Sequence, residues 1–255
     1  MIDLEKAKES FKNFLCQFDT NNPKISLKIV HTYGVVDYTK QVCQRMHLNE
    51  EDTNLCLLIA LLHDIGRFEQ VKLYDSFEHT TMSHAHYGCK LLFEDHLIRK
   101  FIKEDTYDEI IYQAIYHHSD YKLENIKDKR TLFFCSMIRD TDKLDNCRVK
   151  LEDPIEVLLD EAKEEVGQES ISEKVWQSCL QYKSVLLSDR QTKIDYWVSY
   201  IAYFFDINFK ETFQIILEND FVSKAIHRIP YTNPDTKEKM NYLESITNEY
   251  IKSRC

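Results

Sequence analysis

Leu55-Cys56-Leu57-Leu58-Ile59-Ala60-Leu61-Leu62-His63-Asp64-Ile65-Gly66-Arg67 contains the longest purely apolar run of the chain, Leu55 to Leu62, and ends it on an imidazole beside a carboxylate. The run is far shorter than the ~20 residues that span a bilayer, so it reads as a core helix. Taking His63 and Asp64 out of water costs free energy unless each is paired or coordinates a metal. Imidazole and carboxylate together suit Zn, Fe and Mn. Gly66 reads as the residue at which the chain leaves this helix.

Outward from this segment, apolar residues recur every three or four positions, the period of an amphipathic helix. The 255 residues include only 4 glycines and 4 prolines, too few turn-formers for a many-stranded sandwich or barrel. An all-α protein is expected, with helices near 3–18, 26–47, 51–65, 82–95, 107–119 and 131–146, and further ones near 152–164, 170–187, 192–206, 209–228 and 235–252. Ser26 and Asn49 are the expected caps of the second and third helices. Pro154 is expected in a first helical turn, and Pro230 and Pro234 bracket a late loop.

The formal net charge is −10, which argues against broad attachment to a nucleic-acid polymer or an anionic membrane. The opening Met1-Ile2-Asp3-Leu4-Glu5 has neither the basic start nor the apolar stretch of a signal peptide, and a cytoplasmic location is expected. Eight cysteines, at 16, 43, 56, 89, 135, 147, 179 and 255, show no C-x-x-C spacing and read as reduced thiols among apolar neighbours.

Nine of the ten histidines precede residue 120, so imidazole chemistry belongs to the first part of the chain. Leu27, His31, Val35, Tyr38 and Val42 form one helical stripe that turns His31 toward the core. His84 precedes Gly88 by four residues and shares its face, where a glycine permits close approach; His86 does not. His117 and His118 follow Ile110, Ile111, Ala114 and Ile115, so at least one of them points inward. Asp142 shares a face with Ile138. His47, His96 and His227 match no spacing, and His79, beside Glu78, reads as a solvated residue of the loop from Tyr74 to Thr81. The aromatic segment from Tyr196 to Phe205 lacks interleaved basic residues, so it reads as a buried helix or a face for self-association, not a base-stacking platform.

The ordered series His31, His63-Asp64, His84-Ala85-x-x-Gly88, His117-His118 and Thr141-Asp142-Lys143-Leu144-Asp145 resembles the HD superfamily of metal-dependent phosphohydrolases, over roughly residues 25 to 150. The resemblance implies an HD-domain helical bundle at 20–150; the apolar period adds an N-terminal helix at 1–19 and a helical extension at 151–255, expected to pack on the core. It implies that His31, His63, Asp64 and Asp142 hold one metal, and that a second would be held by Asp64 with His84 and, by family position, His117, leaving His118 as a substrate contact.

Asp64 would be central to catalysis, and Arg67 and Lys143, each near a ligand in sequence, are candidates to neutralise developing phosphate charge. The histidine-rich set favours one or two ions of Fe, Mn, Co, Ni or Zn, with Mg as a further candidate. The implied substrate is a small phosphorylated molecule, a nucleotide or similar metabolite, cleaved by metal-activated water, and self-association is open. Two rivals stand beside this: a di-iron oxygenase on the same ligands, and a nucleotide- or metal-sensing module without turnover.

Overall fold

The computed structural model describes residues 2–78 and 80–255, so His79 lies outside the described residues. Among them there is no strand, and no helix is long and apolar enough to cross a membrane. The chain divides into two compact units, one ending at Asp142 and one beginning at Lys143. This division falls inside a helix, Lys129–Glu152.

The first unit begins with α1 (Leu4–Leu15), α2 (Pro23–Arg45) and α3 (Glu50–Leu62). Asn22 caps α2 by accepting from the Lys24 and Ile25 amides, with Pro23 in the first turn, so the helix starts ahead of the expected Ser26. Asn49 caps α3 as expected. Leu55, Leu58, Ile59, Leu61 and Leu62 of α3 are fully buried. Phe11, Phe14 and Phe18 surround Phe68 with ring centroids 5.9, 6.1 and 5.6 Å away. Such pairs add roughly 0.5–1.5 kcal/mol each beyond burial.

After His63 and Asp64 the chain enters a further helix, α4 (Ile65–Tyr74), where the sequence suggested an exit into a loop. Then come α5 (His84–Cys89), a π turn at Lys90–Glu94, a 3-10 turn at Leu97–Lys100, and α6 (Asp108–His117). Gly66 lies within α4 for a reason of packing. A Cβ there would stand 2.2 Å from the His84 carbonyl oxygen and 2.7 Å from the Gly88 nitrogen. The two glycines thus let α4 and α5 cross almost backbone to backbone. The unit closes with the first half of α7 (Lys129–Glu152), tied to α2 by the buried Thr39–Thr141 hydroxyl pair at 2.9 Å.

The second unit continues α7 into α8 (Ile155–Leu159), α9 (Lys163–Val166), α10 (Glu173–Leu180), α11 (Lys193–Ala202), α12 (Lys210–Glu218), α13 (Phe221–Ile226) and α14 (Pro234–Lys252). The single helix expected over 209–228 is broken by Asp220, which adopts left-handed backbone geometry. On α11, Trp197 is buried and its indole N–H donates to the Ala225 carbonyl at 3.2 Å. With Val198, Ile201, Phe204 and Phe205 also buried, one side of the aromatic segment is core, while Tyr196 is exposed. Asp195 closes a capping box with Thr192 and accepts from the Ser172 amide and hydroxyl at 2.8 and 2.6 Å, which stitches α10 to α11.

Candidate metal centre

His63 ends α3 in helical geometry, and Asp64 breaks it with φ −104° and ψ 17° before α4 begins. Adjacent residues of an unbroken helix diverge by about 100°. The break lets the two side chains converge, with His63 Nε2 3.8 Å from Asp64 Oδ2. From α2, His31 brings its Nε2 to 3.0 Å from Asp142 Oδ1 and 3.7 Å from Asp64 Oδ2. His63 Nε2 lies 3.8 Å from Asp142 Oδ1. His31, His63 and Asp142 thus present three ligand atoms within 4.8 Å of one another.

A second trio, Asp64, His84 and His118, meets the same criterion. Here the other oxygen of Asp64 is used: Oδ1 lies 3.4 Å from His84 Nε2 and 3.7 Å from His118 Nε2. One carboxylate therefore offers an oxygen to each trio. The His84 and His118 Nε2 atoms are 3.0 Å apart, close enough for both to serve one ion.

The donor chemistry fits divalent metal. His63 Nδ1 donates to the Ala60 carbonyl at 2.8 Å and His118 Nδ1 to the Ile115 carbonyl at 2.7 Å, which leaves each Nε2 as the lone-pair atom. His63 Nε2 is fully buried and has no hydrogen-bond partner among the described residues, an arrangement that costs free energy unless the lone pair is used. Burial pushes the His63 pKa down from 6.5 to about 4, against the pull of Asp64 and Asp142. Burial, with Arg67 nearby, likewise holds His84 well below its ordinary value. Both rings are then neutral at pH 7, the form that binds metal. For Asp64, burial works to raise the pKa, but Lys28, His63 and other neighbours outweigh it and hold the carboxyl well below the usual range. Asp142 is lowered too, its burial offset by His31, whose Nε2 stands 3.0 Å away.

Two expectations change, and one residue was missed. His117, chosen by family position, turns away: it is half-buried and pairs through Nδ1 with Asp120 Oδ2 at 2.6 Å, while His118 reaches the cluster. Adjacent helical residues cannot face the same way, and His118 shares its side with buried Ile111, Ala114 and Ile115. That three- and four-residue spacing was the available signal. Lys143 pairs with Asp206 at 2.8 Å, because it follows Asp142 by one residue and points elsewhere. Lys28 was overlooked, although it stands one turn before His31 on the same face; its ammonium donates to Asp64 Oδ2 at 2.8 Å.

Arg67 is at the site, its Nε 3.6 Å from Asp64 Oδ1 and its Nη1 donating to Gln70 and to the Phe77 carbonyl at 2.8 and 2.9 Å. Lys28 and Arg67 both lie over the Phe77 ring, at 5.3 and 5.9 Å. His86 is exposed and stacks on Tyr116 at 4.0 Å, clear of the cluster.

Residues 29–154 match the family model described as HD domain, a segment that contains every member of both trios. The chain carries an HD domain. The HD domain is an all-α fold of the metal-dependent hydrolase superfamily. No match was found among the curated proteins or among the solved structures.

Proposed function

We propose that this HD domain hydrolyses a phosphate ester of a nucleotide or similar small metabolite, with water activated at a two-ion centre. The observation that carries the reading is the division of Asp64, with Oδ2 toward His31 and His63 and Oδ1 toward His84 and His118. His31, His63, Asp64 and Asp142 would hold one ion and Asp64, His84 and His118 the other. Divalent ions in such a pair lower the pKa of water toward ~7 and offer positive charge to phosphoryl oxygens. Four imidazoles favour Fe, Mn, Co, Ni or Zn over Mg.

The protein's own groups supply the rest. The carbonyls of Ala60 and Ile115 hold the His63 and His118 rings in the ligating tautomer. Lys28 and Arg67 are cationic donors beside Asp64, suited to a phosphate group arriving there. With Lys143 committed to Asp206, these two carry the charge-neutralising role. The net charge of −10 supports a small substrate captured locally over a polyanion spread across the surface.

The test is metal analysis of protein purified without chelators, then a panel of phosphate esters assayed with Mn, Co, Ni and Mg. Two ions per chain and turnover of at least one nucleotide ester are expected, and Asp64→Ala should lose both ions and lower turnover to background while keeping its helical circular dichroism. Full turnover in Asp64→Ala places the chemistry elsewhere. Dioxygen-dependent product with no phosphate release favours the oxygenase alternative.

A further inference from the structure

Buried inside the first unit is a guanidinium that the chemistry above does not use. Arg139 of α7 is 3% exposed. Its Nη1 donates to the carbonyls of His117 and His118, both at 3.3 Å, and to that of Asp120; Nη2 reaches the Tyr121 carbonyl at 3.5 Å. These carbonyls belong to the last turn of α6 and the residues after it. A helix end leaves its final carbonyls without amide partners, and it carries partial negative charge. A planar fork of five N–H donors can serve several such oxygens at once, which a lysine ammonium does less well.

The target of this clamp is the backbone of a residue whose ring faces Asp64. His118 is held by its ring through the Ile115 carbonyl and by its own carbonyl through Arg139. Arg139 and Asp142 are three residues apart on α7 and so share a face. One helix thus delivers a carboxylate to the first trio and grips the main chain beneath a ligand of the second.

We propose that Arg139 is a positioning residue for the second ion: by fixing the end of α6 it sets where His118 Nε2 sits relative to His84 and Asp64. The inference rests on the two-ion reading. Conserved ring partners of metal ligands are worth about 10- to 100-fold in metal affinity, and a clamp on the ligand's backbone should act on the same scale.

The experiment titrates Mn into the chelator-stripped full chain for wild type, Arg139→Gln, Arg139→Lys and His118→Ala, with ions counted by mass spectrometry and folding followed by circular dichroism. Wild type should take up two ions. Arg139→Gln should keep the first at wild-type affinity and bind the second about 10- to 100-fold more weakly. Arg139→Lys should fall between, and His118→Ala should lose the second ion. Unchanged affinity for both ions in Arg139→Gln overturns the proposal, and so does equal weakening of both, which would make Arg139 a strut of the fold only. Should Arg139→Gln not fold, the same criterion applied to Arg139→Lys decides. A wild-type chain that takes one ion overturns the two-ion reading and this inference together, whereas two ions bound with the same affinities in wild type and Arg139→Gln overturn the inference alone.

Discussion

The two trios are near-equal in burial and differ in what holds them. His31, His63 and Asp142 come from α2, α3 and α7, of 23, 13 and 24 residues, whose positions follow from a large shared core. His84 stands at the start of α5, a helix of 6 residues, and His118 at the end of α6. Six residues are too few for a helix to be stable by itself, so α5 depends on its crossing with α4 at Gly66 and Gly88, and the end of α6 depends on Arg139. The first trio is a by-product of folding the core; the second is assembled from short pieces by specific contacts. Metal affinity and sensitivity to mutation should follow that difference.

The largest contrast is expected among the histidines. His63→Ala should release both ions and reduce turnover at least about 100-fold, because it opens the first trio beside the shared Asp64. His118→Ala should release one ion, with the first retained, and His117→Ala should release none. Ion counts on the three purified variants check this; loss of metal from His117→Ala with none from His118→Ala would reverse the assignment made from the geometry.

Gly66→Ala comes next. The added Cβ meets two backbone positions, His84 O and Gly88 N, neither of which can move as a side chain end could. A destabilisation of about 1–3 kcal/mol is expected, together with weaker binding of the second ion and little change at the first. Urea unfolding and Mn titration measure the two effects. Equal weakening of both ions would erase the distinction between a core-held and a contact-held half.

The smallest effect is in pH. His63 has a pKa of about 4 when folded, lowered by burial, against about 6.5 unfolded. Between those values the unfolded chain binds the extra proton, so this stability is complete above about pH 6.5 and is lost as pH falls toward 4. His84 is shifted in the same direction, while Asp64 and Asp142, both lowered, stay ionised through this window. Metal-free protein should be less stable at pH 5 than at pH 7.5 by about 2 kcal/mol on account of His63. Equal denaturation midpoints at the two pH values would mean that His63 is not held neutral by burial.

Helix content and the buried sides of α2, α3 and α7 were legible in the sequence, since apolar period and the placement of His31 and His63-Asp64 at core positions are local properties of the chain. Gly88 was read from spacing as a close-approach residue, and it is one. Gly66 was misread as an exit because a glycine after a helix and a glycine at a helix crossing look alike until the partner helix is in place. Choosing between His117 and His118 required the phase of α6 relative to the core, which neighbouring Ile111, Ala114 and Ile115 carried but family position obscured. Lys28 could be placed on the His31 face from spacing, but its partner, like those of Arg139 and Lys143, was beyond reach, because long charged side chains can extend to any partner within several ångströms, and only the packed helices decide which carboxylate or carbonyl is there. The residue types able to hold metal were thus written locally along the chain. How they divide about Asp64 was decided by helix crossings that join residues far apart in sequence.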